Sequence, residues 1–121
     1  MKIEREQAPG RNAFTGYGPG YVEVNRERHA GSVIVSGDNV APWPVRSPDE
    51  LSREHMKALA AMAPEIVLIG TGTTFTFPDP ASLADLHAAR IGVEVMDTQA
   101  ACRTYNILLG EGRNVVAALI V

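Results

Sequence analysis

The pattern of apolar and polar positions changes near residue 47. Before this point, the alternation of YVEVN and the apolar run of SVIVSG predict two short strands, with a tight turn at NRER between them. Each proline of APWPV biases the preceding residue towards extended backbone, which excludes a helix there. The first part of the chain is therefore predicted to be an N-terminal antiparallel hairpin or meander.

After residue 47, helical and strand patterns alternate. The predicted helices are SPDELSREHMKALAAM, FPDPASLADLHAAR and residues 98–109, and the predicted strands are EIVLIG, IGVEVM and NVVAALIV. Strands joined by helices favour parallel pairing with right-handed crossovers, so EIVLIG and IGVEVM should be parallel. We predict a single α/β domain over residues 1–121, with residues 1–12 as a flexible N-terminal segment.

The helix ends carry capping signals. The predicted N-caps are Ser47 (in a capping box with Glu50) or Ser52 for the first helix, Asp79 before Pro80 for the second, and Asp97 for the third. Gly110 is predicted to end the third helix. A helical wheel predicts that the sheet-facing side of this helix consists of Ala100, Ala101, Thr104, Tyr105, Ile107 and Leu108.

The carboxyl ends of the two parallel strands should share one edge of the sheet, where open α/β sheets bind ligands. The loops GTGTTFTFP and MDT meet at this edge. The candidate ligand or partner site consists of Gly70, Thr71, Gly72, Thr73, Asp97, Thr98, Arg103, Asn106 and Arg113. The alternative is structural: the glycines make the turn, the threonines bond loose backbone groups and Asp97 caps the helix.

Composition restricts the chemistry. The 121 residues carry a net charge of −3, which argues against a nucleic-acid partner. The single cysteine, Cys102, excludes an intramolecular disulfide and has no base in a recognisable motif, and the three histidines lack metal-ligand spacing. We therefore predict no catalytic residue, no cofactor and no metal. Without a signal peptide or a run long enough to cross a bilayer, a cytoplasmic location is expected.

Trp43 is the only tryptophan, and it lies between two prolines. This stiff segment makes Trp43 a candidate anchor for a protein partner, whereas the alternative is that the indole covers the edge of the core or a helix end. Self-association through an exposed edge strand of the N-terminal hairpin is also left open.

Several motifs together resemble a known family. They are IVLIGTG at residues 66–72, the Phe/Pro segment after it, and IGVEVMDTQAACRTYNILLGEGRNVVAALI at 91–120, with YVEVN and Trp43 earlier. The chain resembles the family of mitochondrial complex I (NADH:ubiquinone oxidoreductase) assembly factor three, which has small bacterial and archaeal members. The resemblance implies a three-layer α/β domain around a mixed sheet, with the last strand inserted among the others.

The resemblance also implies a non-enzymatic role with a protein partner, since the mitochondrial relatives help to assemble the peripheral arm of complex I. It supplies no catalytic residues for this chain. A second hypothesis is a small-molecule binder or enzyme that uses the Gly-Thr-Gly and Met-Asp-Thr loops.

Overall fold

This computed structural model describes residues 11–121 of the chain, which contain eight strands, three α-helices and two short 3-10 turns. The strands are β1 (Phe14–Gly18), β2 (Tyr21–Val24), β3 (Glu27–His29), β4 (Val33–Ser36), β5 (Val40–Pro42), β6 (Ile66–Thr71), β7 (Gly92–Met96) and β8 (Val115–Ile120). The helices are α1 (Arg53–Ala60), α2 (Ala84–Ala88) and α3 (Thr98–Gly110). Of residues 1–12, which were predicted to be flexible, residues 1–10 lie outside the described residues. Asn12 is held in place, because its N–H donates to the Gly37 carbonyl at 2.9 Å.

The strands form two sheets. The central sheet has the order β5-β4-β8-β6-β7 and is mixed: β6 is parallel to both β7 and β8, and β4 is antiparallel to β8. This arrangement confirms the predicted parallel pair and the insertion of the last strand among the others. The second sheet is the antiparallel meander β1-β2-β3, whose β2–β3 turn has Asn25 and Arg26 at positive φ, as a type I′ hairpin turn requires.

The central sheet is covered on both faces. Alternate residues of the fully buried β8 belong to two separate core clusters: Val115, Ala117 and Leu119 pack with α3, and Val116, Ala118 and Ile120 pack with α1 and α2. The meander packs on α3, where the rings of Phe14 and Tyr105 meet edge to face with centroids 5.1 Å apart. The three-layer α/β prediction is confirmed. Within residues 11–121 no helix has the length and apolar character needed to cross a membrane.

The first helix begins later than predicted. Residues Pro48–Glu50 form a 3-10 turn, and Leu51 then adopts extended backbone with ψ 130°, which ends that turn. Ser47 makes no side-chain cap, so the capping box proposed there is wrong. The N-cap of α1 is the second candidate, Ser52: its hydroxyl accepts from the His55 N–H at 3.4 Å, and the His55 imidazole accepts from the Ser52 N–H at 3.2 Å.

The second predicted helix is divided in two. Asp79 accepts from the Ala81 N–H at 3.0 Å, which confirms its prediction as a cap, with Pro80 at the first helical position. A 3-10 turn, Pro80–Leu83, then leads into the short helix α2. The two pieces cover the same face of the sheet as α1, with Leu83 and Leu86 buried in its core cluster.

Helix α3 agrees with the prediction at its start and differs at its end. The Asp97 carboxylate accepts from the Ala100 N–H at 2.9 Å, which confirms the N-cap. Gly110 remains helical, and Gly112 takes the left-handed position with φ 80°, so the predicted C-terminal role of Gly110 is wrong. The predicted apolar side is also displaced, because α3 packs against both the sheet and the meander: Ile107 is 62% exposed, and the buried residues are Thr98, Ala101, Cys102, Tyr105 and Leu109.

Candidate functional site

The two predicted loops meet at the carboxyl edge of β6 and β7. Gly70 lies opposite Met96 in the parallel pair, so the chain segments that follow the two strands are neighbours. They are joined in both directions, because the Thr98 N–H donates to the Gly72 carbonyl at 2.9 Å and the Gly72 N–H donates to the Thr98 hydroxyl at 2.8 Å. The structure therefore brings together Gly70, Thr71, Gly72, Thr73, Asp97 and Thr98.

Thr98 connects three elements at this edge. Besides accepting from Gly72, its hydroxyl donates to the Ile120 carbonyl at 2.6 Å, and the residue is only 6% exposed. One hydroxyl thus joins the loop after β6, the end of β8 and the first residue of α3. Since its single proton is already donated within the chain, Thr98 has no donor for a ligand.

The two glycines are explained by backbone geometry. A Cβ at Gly70 would lie 2.8 Å from the Leu119 Cδ2 and 2.9 Å from the Thr98 Oγ1, so the start of α3 can approach β6 only where a side chain is missing. Gly72 has φ 98°, a region that other residues rarely adopt. The Gly72 N–H is occupied by Thr98, and it therefore does not face outward as an anion site would require.

Thr71 fixes the shape of the loop that follows β6. Its hydroxyl donates to the Thr74 carbonyl at 2.7 Å and accepts from the Thr76 N–H at 3.2 Å. The residue is 5% exposed, whereas Thr73 is exposed. At this edge the side chains of Thr71, Asp97 and Thr98 form hydrogen bonds to backbone groups of the loops and the helix start. This is the structural alternative to a ligand site.

The remaining three candidates lie elsewhere. The Arg103 guanidinium donates to the Tyr17 hydroxyl at 2.7 Å, and the Asn106 amide both accepts from the Phe14 N–H at 2.9 Å and donates to the Phe14 carbonyl at 2.8 Å. These two residues attach α3 to β1. Arg113 precedes β8 and pairs with Glu65 at 3.0 Å, at the opposite end of the sheet. Its inclusion at the carboxyl edge is therefore wrong.

The crevice that residues 11–121 form at this edge is small. A crevice of about 20 Å³ separates the β1–β2 turn from the loop after β6, with walls that include Tyr17, Tyr21, Gly72 and Gln99. This volume holds about one water molecule, whereas small-molecule sites usually measure several hundred Å³. The geometry therefore gives no support to the small-molecule hypothesis at these loops.

Cys102 and Trp43 are both in the core. Cys102 is buried, and this burial raises the pKa of its thiol to about 12, so it is protonated at neutral pH. Trp43 is 5% exposed and meets the His55 ring edge to face at 6.2 Å between centroids. The indole thus packs against α1 and leaves almost no surface for a partner. This agrees with the alternative that the indole covers the edge of the core or a helix end. Within residues 11–121, no three His, Cys, Asp or Glu side chains form a group that could hold a metal ion.

The most exposed aromatic groups at this edge are two phenylalanines outside the predicted candidate site. Phe75 and Phe77 are each 56% exposed, and their rings lie 6.4 Å apart between centroids. They lie in the loop that Thr71 holds, and residues 70–78 contain no charged side chain. The available signal was the alternation Thr-Phe-Thr-Phe in a segment without other strand features.

The fold and this edge define a class of small α/β domain whose carboxyl edge is closed by its own hydrogen bonds and carries an exposed aromatic loop. The chain belongs to the family described as "Protein of unknown function (DUF498/DUF598)", which it matches over residues 14–120.

Relatives and a solved structure support this assignment. An uncharacterized protein of Rhodobacter capsulatus is 33% identical over 105 residues, covering 87% of this chain and 81% of the relative. The "NADH dehydrogenase [ubiquinone] 1 alpha subcomplex assembly factor 3" of Xenopus tropicalis is 31% identical over 121 residues, covering 98% of this chain but only 66% of that protein. A crystal structure of a Bordetella parapertussis protein is 44% identical, with a TM-score of 0.87 over 93% of this chain and 97% of that one. The family resemblance inferred from the sequence is confirmed.

Proposed function

We propose that this chain is a protein-binding domain of the assembly-factor type and that it contacts its partner through Phe75 and Phe77. The observation that carries the proposal is the exposure of both rings, 56% each, on a loop held in shape by Thr71. Aromatic side chains contribute strongly to interfaces because they exclude a large apolar area from water. A loop that is already ordered also loses little conformational entropy on binding.

The chemistry of the loop indicates the kind of surface it would meet. Residues 70–78 carry no charge, and Pro78, which follows the second ring, is buried and fixes the end of the loop. A charged partner surface would lose hydration against such a loop without gaining an ion pair. We therefore expect an apolar recess on the partner that accepts one or both rings.

The name of the Xenopus relative suggests which partner to seek. We propose that the chain assists the assembly of a respiratory NADH dehydrogenase, and that it does so in the cytoplasm by binding an incompletely assembled subunit. Because the chain spans just under two thirds of that relative, the proposal concerns only the activity of the shared domain.

Affinity purification of the tagged chain from its source cell, with mass spectrometry, tests this proposal. The Phe75→Ser/Phe77→Ser variant is compared with Ile107→Ser, which replaces an apolar side chain of similar exposure on α3. We expect NADH dehydrogenase subunits with the native chain and with Ile107→Ser, and a loss of at least about tenfold with the double variant, because a central interface aromatic contributes upwards of about 2 kcal/mol. Recovery that the double variant leaves unchanged would refute the assigned surface, and the absence of these subunits from every sample would refute the assembly role.

A further inference from the structure

A groove of about 380 Å³ lies between the edge strands of the two sheets. Its walls are Arg28 and His29 at the end of β3, the connection Ala30–Ser32, and the residues of β5, Val40–Pro42, with Val33 beneath. The volume falls within the usual range of binding sites. None of these residues belongs to the aromatic loop or to the carboxyl edge described above.

The β5 wall offers unpaired backbone groups. Among residues 11–121, β5 pairs only with β4, and the Trp43 N–H donates to the Ser32 carbonyl at 2.9 Å. Because hydrogen-bonded positions alternate along an antiparallel strand, Ala41 also faces β4, whereas Val40 and Pro42 turn their backbone groups away from it. The Val40 N–H and the carbonyls of Val40 and Pro42 therefore face the side where a further strand would add.

The β3 wall supplies a cation, the guanidinium of Arg28. The Arg28 guanidinium lies 3.8 Å from the centre of the Tyr21 ring, which holds it in place. The cross-strand neighbour of Arg28 is Glu23, but that carboxylate accepts from the Thr15 hydroxyl at 2.8 Å instead. Between residues 11 and 121, no Asp or Glu oxygen lies within 4.0 Å of the Arg28 guanidinium.

The two walls differ in chemistry. The β5 wall is apolar, with Val40 37% exposed and Ala41 and Pro42 exposed beside it. The β3 wall carries the Arg28 guanidinium, and the Nε2 of His29, the other ionisable residue of that wall, lies 3.8 Å from the Glu27 carboxylate. An extended segment directs alternate side chains to opposite sides, so acidic and apolar residues in alternation match such a groove. Pro42 lacks an N–H, which limits the pairing to a short segment.

We propose that this groove binds an extended acidic segment of a partner protein, which adds to β5 as a strand and sets a carboxylate against Arg28. The inference rests on the proposed protein-binding function and specifies a second contact for it. A partner would then use an apolar recess for the aromatic loop and a short acidic strand for the groove.

The test is an NMR titration of the whole ¹⁵N-labelled chain with the peptide acetyl-Val-Glu-Val-Glu-Val-amide, with acetyl-Val-Lys-Val-Lys-Val-amide as the matched control. We expect the acidic peptide to give saturable shifts of the Val40, Ala41 and Gly31 amide signals, and the basic peptide to give none. Arg28→Gln should weaken binding roughly three- to fivefold, as expected for one exposed ion pair, while Lys57→Gln, an equal change of charge on α1, should leave it unaltered.

Three outcomes would overturn the groove proposal: no saturable shift at β5, equal binding of the two peptides, or equal affinity of the native chain and Arg28→Gln. A fourth is movement of the same signals on concentrating the chain without peptide, because the occupant would then be a second copy. The titration contains no cellular partner. A negative result here beside a positive purification with the aromatic loop would therefore reject the groove alone and leave the proposed function standing.

Discussion

The hydroxyl of Thr98 provides the sharpest test of how the carboxyl edge is held together. Thr98→Val preserves the shape of the side chain but removes both the bond to the Ile120 carbonyl (2.6 Å) and the bond from the Gly72 N–H (2.8 Å). The N–H of residue 98 still reaches the Gly72 carbonyl, so the substitution isolates the hydroxyl.

The expected loss follows from the two groups left without a partner. Ile120 is 3% exposed and Gly72 is partly buried, so water replaces the missing hydroxyl poorly. An unsatisfied buried group costs about 1–3 kcal/mol, and two such groups in partly relaxed surroundings should cost about 2–4 kcal/mol together. This is a large share of the stability of a small domain, about 5–15 kcal/mol in total.

Urea unfolding measures this loss, with Thr98→Ser as the matched control. Serine keeps the hydroxyl and removes one methyl group, so the control should lose only about 1 kcal/mol. Hydrogen exchange at the Gly72 amide should accelerate in Thr98→Val more than in Thr98→Ser. A valine variant within about 0.5 kcal/mol of the native chain, or a serine variant less stable than the valine one, would refute the assignment of the hydroxyl as a structural link.

Two further predictions concern α3. Asn106→Asp keeps an acceptor for the Phe14 N–H but places a carboxylate against the Phe14 carbonyl, so urea unfolding at pH 7 should show a loss of about 2 kcal/mol. The Phe14 carbonyl should raise the pKa of the new carboxyl in the folded chain above its unfolded value, and a protonated carboxyl can donate to that carbonyl. The loss of stability should therefore shrink at pH 3.5. An equal loss at both pH values would contradict the contact. Burial raises the pKa of the Cys102 thiol to about 12, so the thiol should resist a thiol reagent at pH 8 in the folded chain and react with it in urea. Because the thiol ionises at a lower pH in the unfolded chain, the free energy of unfolding should decline as pH rises from about 9 to 12. Fast labelling of the folded chain would show instead that the thiol is accessible.

Local chemistry and periodicity were enough to predict much of the fold. The continuous apolar character of NVVAALIV indicates a strand covered on both faces, and β8 is that strand. Asp97 and Asp79 cap helices because a short carboxylate at that position reaches an N–H of the first turn. The buried face of α3 was less predictable, because both the central sheet and the meander pack on this helix. Its buried arc is therefore wider than a single sheet would require. A helical wheel does not show where that arc is centred.

The candidate site was predictable only in its location. Parallel pairing necessarily brings the loops after β6 and β7 together, so Gly70, Thr71, Asp97 and Thr98 could be grouped from the order of elements. Whether a threonine hydroxyl faces solvent or bonds backbone depends on distances that no spacing encodes. The exposed rings of Phe75 and Phe77 were missed for a related reason: apolar residues are assigned to the core by default, and exposure in a turn is a tertiary property.

The positions of the two proposed contacts restrict what a partner can be. In the order β5-β4-β8-β6-β7, the groove lies at the β5 edge, and the aromatic loop follows β6, three strand spacings away, or roughly 14 Å. A single five-residue strand aligned along β5 cannot also supply the apolar recess that accepts Phe75 and Phe77. One partner that uses both contacts must therefore have a folded surface with an attached extended segment. Since contacts more than about 10 Å apart usually contribute independently, the loss of binding free energy on removing both contacts should equal the sum of the two single losses.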